Sequence, residues 1–78
     1  MPLNQKQLIR IVEDHTHRSH VAPEDRLSDL GCDSLDILEL VMECEVRSDK
    51  ELPYGQEDEL ETVADFIEFF CDENPTPL

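Results

Sequence analysis

The sequence predicts an all-α fold: a small antiparallel bundle of three main helices plus one short helix. Three observations predict it. Apolar residues recur at helical spacing in three segments. Each segment opens on a residue type suited to capping a helix. No stretch alternates apolar and polar residues as a half-buried strand would.

The first helix begins at Asn4. Leu3 and Leu8 fit a hydrophobic staple, and Gln7 fits the far side of a capping box. Leu8, Ile11, Val12 and His15 then share one helical face. From Thr16 to Arg26 the pattern has no period and contains Pro23, which predicts a loop. Leu27 and Leu30 are expected to dip from that loop into the core, and Gly31 to end the turn.

Asp33 or Ser34 caps a second helix running to about Arg47. At about 100° per residue, Ile37, Leu38, Leu40, Val41 and Cys44 form a broad apolar face. Asp36, Glu39 and Glu43 form an acidic stripe on the other side, with Leu35, Met42 and Val46 at its margin. Glu45 points toward the apolar face and does not fit the pattern. Ser48 to Pro53 reads as a loop, and Tyr54 to Leu60 as a short, weak helix. Thr62 and Asp65 make a second capping box. Val63, Phe66, Ile67 and Phe70 follow at i, i+3, i+4 and i+7 as the core stripe of a last helix. The expected organisation is one domain over residues 1–71 and a frayed tail over 72–78, where Pro75 and Pro77 lie.

Size and charge narrow the function. Seventy-eight residues hold one small core, without room for both a buried catalytic constellation and a substrate cleft. No apolar run approaches the roughly 20 residues that span a bilayer. Met1-Pro2-Leu3-Asn4 lacks the pattern of a signal peptide, so the chain is expected in the cytoplasm. Its formal charge is −14, all of it on residues 27–78, which carry sixteen acids against Arg47 and Lys50. A field of that sign repels nucleic acid and anionic membrane and steers basic protein surfaces. The three cysteines show no CxxC spacing and are expected to be free thiols, with Cys44 and Cys71 in the core and Cys32 beside the serine considered next.

Gly31-Cys32-Asp33-Ser34-Leu35-Asp36-Ile37 sets one serine between two aspartates, after a glycine turn and before an amphipathic helix. A serine there is a good N-cap, worth about 1 kcal/mol. Asp33 can do the capping instead, which would free the Ser34 hydroxyl. A helix N-terminus also favours an anion, so it suits a phosphodiester on that hydroxyl. Self-contained nucleophilic catalysis is disfavoured: His15, His17 and His20 all lie on or after the first helix, and two carboxylates oppose a developing oxyanion. Those three histidines match no strong zinc pattern, and the acids at 57–61 lack the order of a calcium loop, so no metal site is expected.

Leu30-Gly31-Cys32-Asp33-Ser34-Leu35-Asp36, followed by Leu38-Glu39-Leu40-Val41-Met42, resembles the acyl carrier protein family. The likeness runs from about Leu27 to Phe70, and more loosely over the first helix. It implies a carrier, not an enzyme, with Ser34 holding a 4′-phosphopantetheine arm donated by coenzyme A through a phosphopantetheinyl transferase. Acyl groups would ride as thioesters on that arm in fatty acid or related acyl biosynthesis. By position, the resemblance assigns Asp33, Leu35, Thr62 and Val63 to the surroundings of the arm. It assigns Asp36, Glu39, Met42 and Glu43 to the surface that meets basic patches on acyl-transferring and acyl-modifying enzymes. It implies a monomer with neither nucleic-acid binding nor stable membrane insertion.

The chain also departs from the family. Ser48 stands where an aromatic is usual, Phe66 where a small residue is common, and Val46 and Arg47 where acids are common. The acyl pocket is therefore expected to be shortened by Phe66 or displaced toward Ser48. A specialised carrier for polyketide, lipid A or D-alanine transfer stays open, as does an unmodified acidic interaction module in which Ser34 is only a cap.

Overall fold

The computed structural model describes residues 3–53 and 55–71. The chain runs α1 (Gln5–Thr16), α2 (Ser34–Ser48), a 3-10 turn (Gln56–Glu59) and α3 (Val63–Phe70). Among the described residues there is no strand, only two isolated bridges, Leu3 to Cys71 and Arg26 to Thr62. The expected short helix is thus a single 3-10 turn, and the bundle has three α-helices. Tyr54 and the expected tail over 72–78 lie outside the described residues.

All three α-helices start with a complete capping box. Asn4 accepts from the Gln7 amide at 2.8 Å while Gln7 accepts from the Asn4 amide at 3.0 Å. Asp33 with Asp36 and Thr62 with Asp65 repeat the device. These reciprocal bonds satisfy amides that a helix leaves without intrahelical partners. α1 and α2 end on His17 and Asp49, left-handed residues with φ of 59° and 63°.

The core is built from Leu8 and Val12 of α1, Leu40, Val41 and Cys44 of α2, and Val63, Phe66 and Phe70 of α3. Leu3, Val21, Leu27, Leu60 and Cys71 complete it from outside the helices. The Phe70 ring stands edge-on to Phe69, with centroids 4.8 Å apart. The long connection between α1 and α2 is held by backbone bonds to the start of α3. The Leu27 amide donates to the Glu61 carbonyl at 2.9 Å, and the Val63 and Ala64 amides donate to the Asp25 and Pro23 carbonyls. A connection with no period of its own is thereby ordered, and Leu27 is pinned in the core.

Three expectations for α2 need correction. Leu38 does not join the buried face; it is 42% exposed. The helix runs one residue past Arg47, and Ser48 is buried rather than opening a loop, its hydroxyl accepting from the Lys50 amide at 3.2 Å. Glu45 is no misfit: its carboxylate accepts from the Leu52 amide at 2.8 Å, so a half-buried acid secures the following connection. Periodicity cannot foresee such a bond, because the partner is a backbone group in a loop.

Candidate functional site around Ser34

The approach to Ser34 is a tight, self-bonded turn. The Leu30 and Cys32 amides both donate to the Leu27 carbonyl, and Gly31 follows at φ 88°, a conformation that glycine adopts without a steric penalty. Asp33 is then extended and acts as the N-cap: its Oδ1 accepts from the Asp36 amide at 3.0 Å, and Asp36 Oδ2 accepts from the Asp33 amide at 3.1 Å. Of the two cap residues that the sequence left open, the structure chooses Asp33. Ser34 is therefore the first helical residue, exposed, and its hydroxyl makes no hydrogen bond among the described residues.

An open groove of about 400 Å³ lies beside Ser34. Leu27, Cys32, Ile37, Leu38 and Leu60 give it apolar walls, and Arg26, Glu57, Asp58 and Glu61 its charged rim. Neither Ser48 nor Phe66 lines it. Phe66 and Ser48 are both buried in the core, so the groove ends short of Phe66 and does not reach Ser48. Leu38, misplaced by periodicity, is instead a wall of this groove. Cys32 is half-buried there, and burial first, then the carboxylates of Asp36 and Asp33, push its thiol above the ordinary value.

The other residues singled out by the sequence divide clearly. Asp33 is the cap and Leu35, 68% exposed, projects from the first turn of α2. Thr62 is the half-buried cap of α3, while Val63 is wholly buried and meets the surface nowhere. Along α2, Leu35, Leu38, Met42 and Val46 make a continuous exposed apolar ridge, within about 80° of one another at helical spacing. Asp36, Glu39 and Glu43 run beside it. Glu43 is paired with Arg47 at 2.9 Å. Asp36 and Glu39 face His15 of α1 at 3.2 and 3.5 Å. His15 is in the last turn of α1, on the face the sequence predicts, and half-buried, while His17 and His20 are exposed. Its place on the Leu8–Val12 face separates it from the other two. The Asp36 carboxyl is held below its ordinary value, chiefly by the Asp33 amide and next by the His15 ring.

The geometry offers a free hydroxyl at a helix N-terminus with an apolar groove at its side. The family model described as the phosphopantetheine attachment site matches residues 6–70. The chain belongs to the acyl carrier protein family. The acyl carrier protein of Sulfurovum sp. (strain NBC37-1) is 49% identical over 43 residues, a stretch covering 55% of this chain. That match spans 57% of the relative's own length. Members of the family are carriers rather than catalysts, and the cofactor is covalent 4′-phosphopantetheine. The residues present fit that group. An exposed, unbonded hydroxyl is free to be esterified, and the first-turn amides of α2 favour the phosphodiester's charge. Among the described residues, no helix is long and apolar enough to cross a membrane.

Proposed function

We propose that this acyl carrier protein bears its phosphopantetheine on Ser34 and presents acyl groups to enzymes of fatty acid or related acyl biosynthesis in the cytoplasm, with no catalytic role of its own. One observation carries the assignment: Asp33 takes the cap and leaves the Ser34 hydroxyl exposed and unbonded. Attachment by a phosphopantetheinyl transferase forms an Oγ–phosphorus bond and breaks the pyrophosphate of coenzyme A. 3′,5′-ADP departs, and the hydroxyl proton goes to the transferase. When bound, the group supplies a thiol for thioester linkage. The protein's own part is to hold Ser34 at the surface with Leu35 next to it, and to shelter apolar cargo along Leu27, Ile37, Leu38 and Leu60, while Thr62 is given a place near the arm by the family resemblance. Val63 contributes only from beneath, as core.

The partner surface in this reading is the α2 ridge of Leu35, Leu38, Met42 and Val46 with its flanking acids Asp36, Glu39 and Glu43. A carrier that visits several enzymes needs fast, weak docking, and charge steering with a small apolar contact supplies it.

The decisive test is intact mass after incubation with coenzyme A and a phosphopantetheinyl transferase. Wild type should gain one phosphopantetheine and Ser34→Ala none. A modified alanine variant, or an unmodified wild type, rejects the assignment. For the docking surface, Glu39→Lys should slow association with the transferase at low salt, and added salt should narrow the gap. Equal low-salt rates would place docking elsewhere.

A further inference from the structure

His15 is a place where two helices bring unlike metal-ligating groups to one point. Its Nε2 lies 3.2 Å from Asp36 Oδ1 and 3.5 Å from Glu39 Oε1. All three ligating atoms fall within 4.8 Å of one another. A hydrogen bond explains one of these contacts. Charge attraction to a protonated ring suffices for the second, and the same convergence of one imidazole nitrogen and two carboxylate oxygens is the arrangement a divalent ion takes. A tetrahedral zinc with bonds of about 2.0–2.2 Å sets its ligand atoms about 3.4 Å apart, close to both observed separations. One imidazole nitrogen and two carboxylate oxygens are a proper donor set for a borderline divalent ion, and a partly exposed face leaves room for water at the fourth position. Asp36 is also oriented from behind, because its other oxygen accepts from the Asp33 amide.

We infer that His15, Asp36 and Glu39 form a divalent transition-metal site, of the zinc type, clamping the end of α1 to the start of α2. No local motif announces it, since the imidazole and the Asp36 carboxylate are 21 residues apart in sequence. An ion there replaces the proton on Nε2. It joins two elements that otherwise meet mainly through apolar side chains, and it stabilises the folded chain by binding it preferentially. It also engages Asp36 and Glu39, two acids of the docking stripe. That last consequence rests on the carrier reading, whereas the site itself does not.

The test uses zinc chloride as the probe on metal-free chain, with Cys32→Ser as a control for thiol binding. Calorimetric titration should show one ion per chain, with affinity falling at least tenfold in both His15→Gln and Glu39→Gln. Imidazole NMR signals of His15 should move on addition of zinc, while those of His17 and His20 stay. The melting temperature should rise with zinc in wild type and in Cys32→Ser, but not in the two ligand variants. Circular dichroism checks folding. If His15→Gln fails to fold, Glu39→Gln, which alters an exposed side chain, and the wild-type His15 signals decide. Affinity within twofold of wild type in Glu39→Gln, zinc-induced shifts confined to His17 or His20, or loss of binding in Cys32→Ser alone would each overturn the site. Displacement of zinc by an equal concentration of magnesium would do so too, since it would mean that only charge is read. None of these readouts depends on Ser34 being modified.

Discussion

Asp33 caps α2, and Ser34, the proposed attachment residue, takes no part in the capping. The cap belongs to Asp33, so the two side chains should differ sharply in their contribution to stability. Asp33→Ala should lower the unfolding free energy by about 1 kcal/mol, the usual value of a lost cap. Ser34→Ala, removing an exposed and unbonded hydroxyl, should stay within about 0.5 kcal/mol of wild type. Urea midpoints measure both, and a larger loss at Ser34 would return the cap to the serine. The cysteines give a second residue-level expectation. Burial pushes the Cys44 thiol up to about 12, and its side chain is inaccessible. Cys32 is shifted in the same direction but stands half-open on the groove. Iodoacetamide at pH 8 should therefore label Cys32 first and slowly, with Cys44 and Cys71 reacting only on unfolding. Mass spectrometry of the native protein would contradict this if Cys44 were labelled first.

At the scale of elements, the helix ends hold most of the polar engineering. The Asp65 carboxyl is lowered chiefly by the Thr62 amide and further by the Glu61 amide, against some desolvation. Its folded-state pKa lies below the unfolded one. Its stabilisation is therefore fully present above the ordinary value of 3.8 and is lost as pH falls from there through the lower folded value. The stability gap between wild type and Asp65→Asn should be constant near neutrality and close below pH 3.8. A gap that persists unchanged in more acidic solution would show that charge is not what Asp65 contributes. The opposite end of α2 is less well made. Asp49 places a carboxylate at a helix C-terminus, against the macrodipole, and in a left-handed conformation at φ 63°. Asp49→Gly relieves both and should raise the melting temperature, by an amount corresponding to about 0.5–1 kcal/mol. Asp49→Asn, which removes only the charge, should recover part of that gain; no gain in Asp49→Asn would mean that the charge is already offset, and no gain in Asp49→Gly that the left-handed cap carries no strain either.

For the whole molecule, the excess of negative charge predicts that self-repulsion limits stability. Sixteen acids lie within residues 27–78, where Arg47 and Lys50 are the basic residues. Millimolar Mg²⁺ should raise the melting temperature more than sodium chloride at equal ionic strength, because a divalent ion associates with clustered carboxylates as well as screening them. This response should survive His15→Gln, which separates it from the zinc-type site. A melting point indifferent to magnesium would remove repulsion as the limit.

Most of the fold and the family were legible in the sequence because their causes are local. Capping boxes are written within four residues at Asn4–Gln7 and Thr62–Asp65, whereas the box at Asp33–Asp36 came only with the structure. Core stripes repeat with the helical period, as in Val63, Phe66 and Phe70. The Asp-Ser-Leu segment before an amphipathic helix carried the family and pointed to Ser34 as the proposed attachment residue. Tertiary structure decided what depends on partners distant in the chain. Leu38 left the core because Leu40, Val41 and Cys44 already fill the space between helices, leaving it to wall the groove. Glu45 found the Leu52 amide, and His15 found Asp36 and Glu39. The groove beside Ser34 takes its walls from Leu27, α2 and Leu60 at once. Helical period reports which side of a helix a residue occupies; which sides are covered depends on the packing of the other elements.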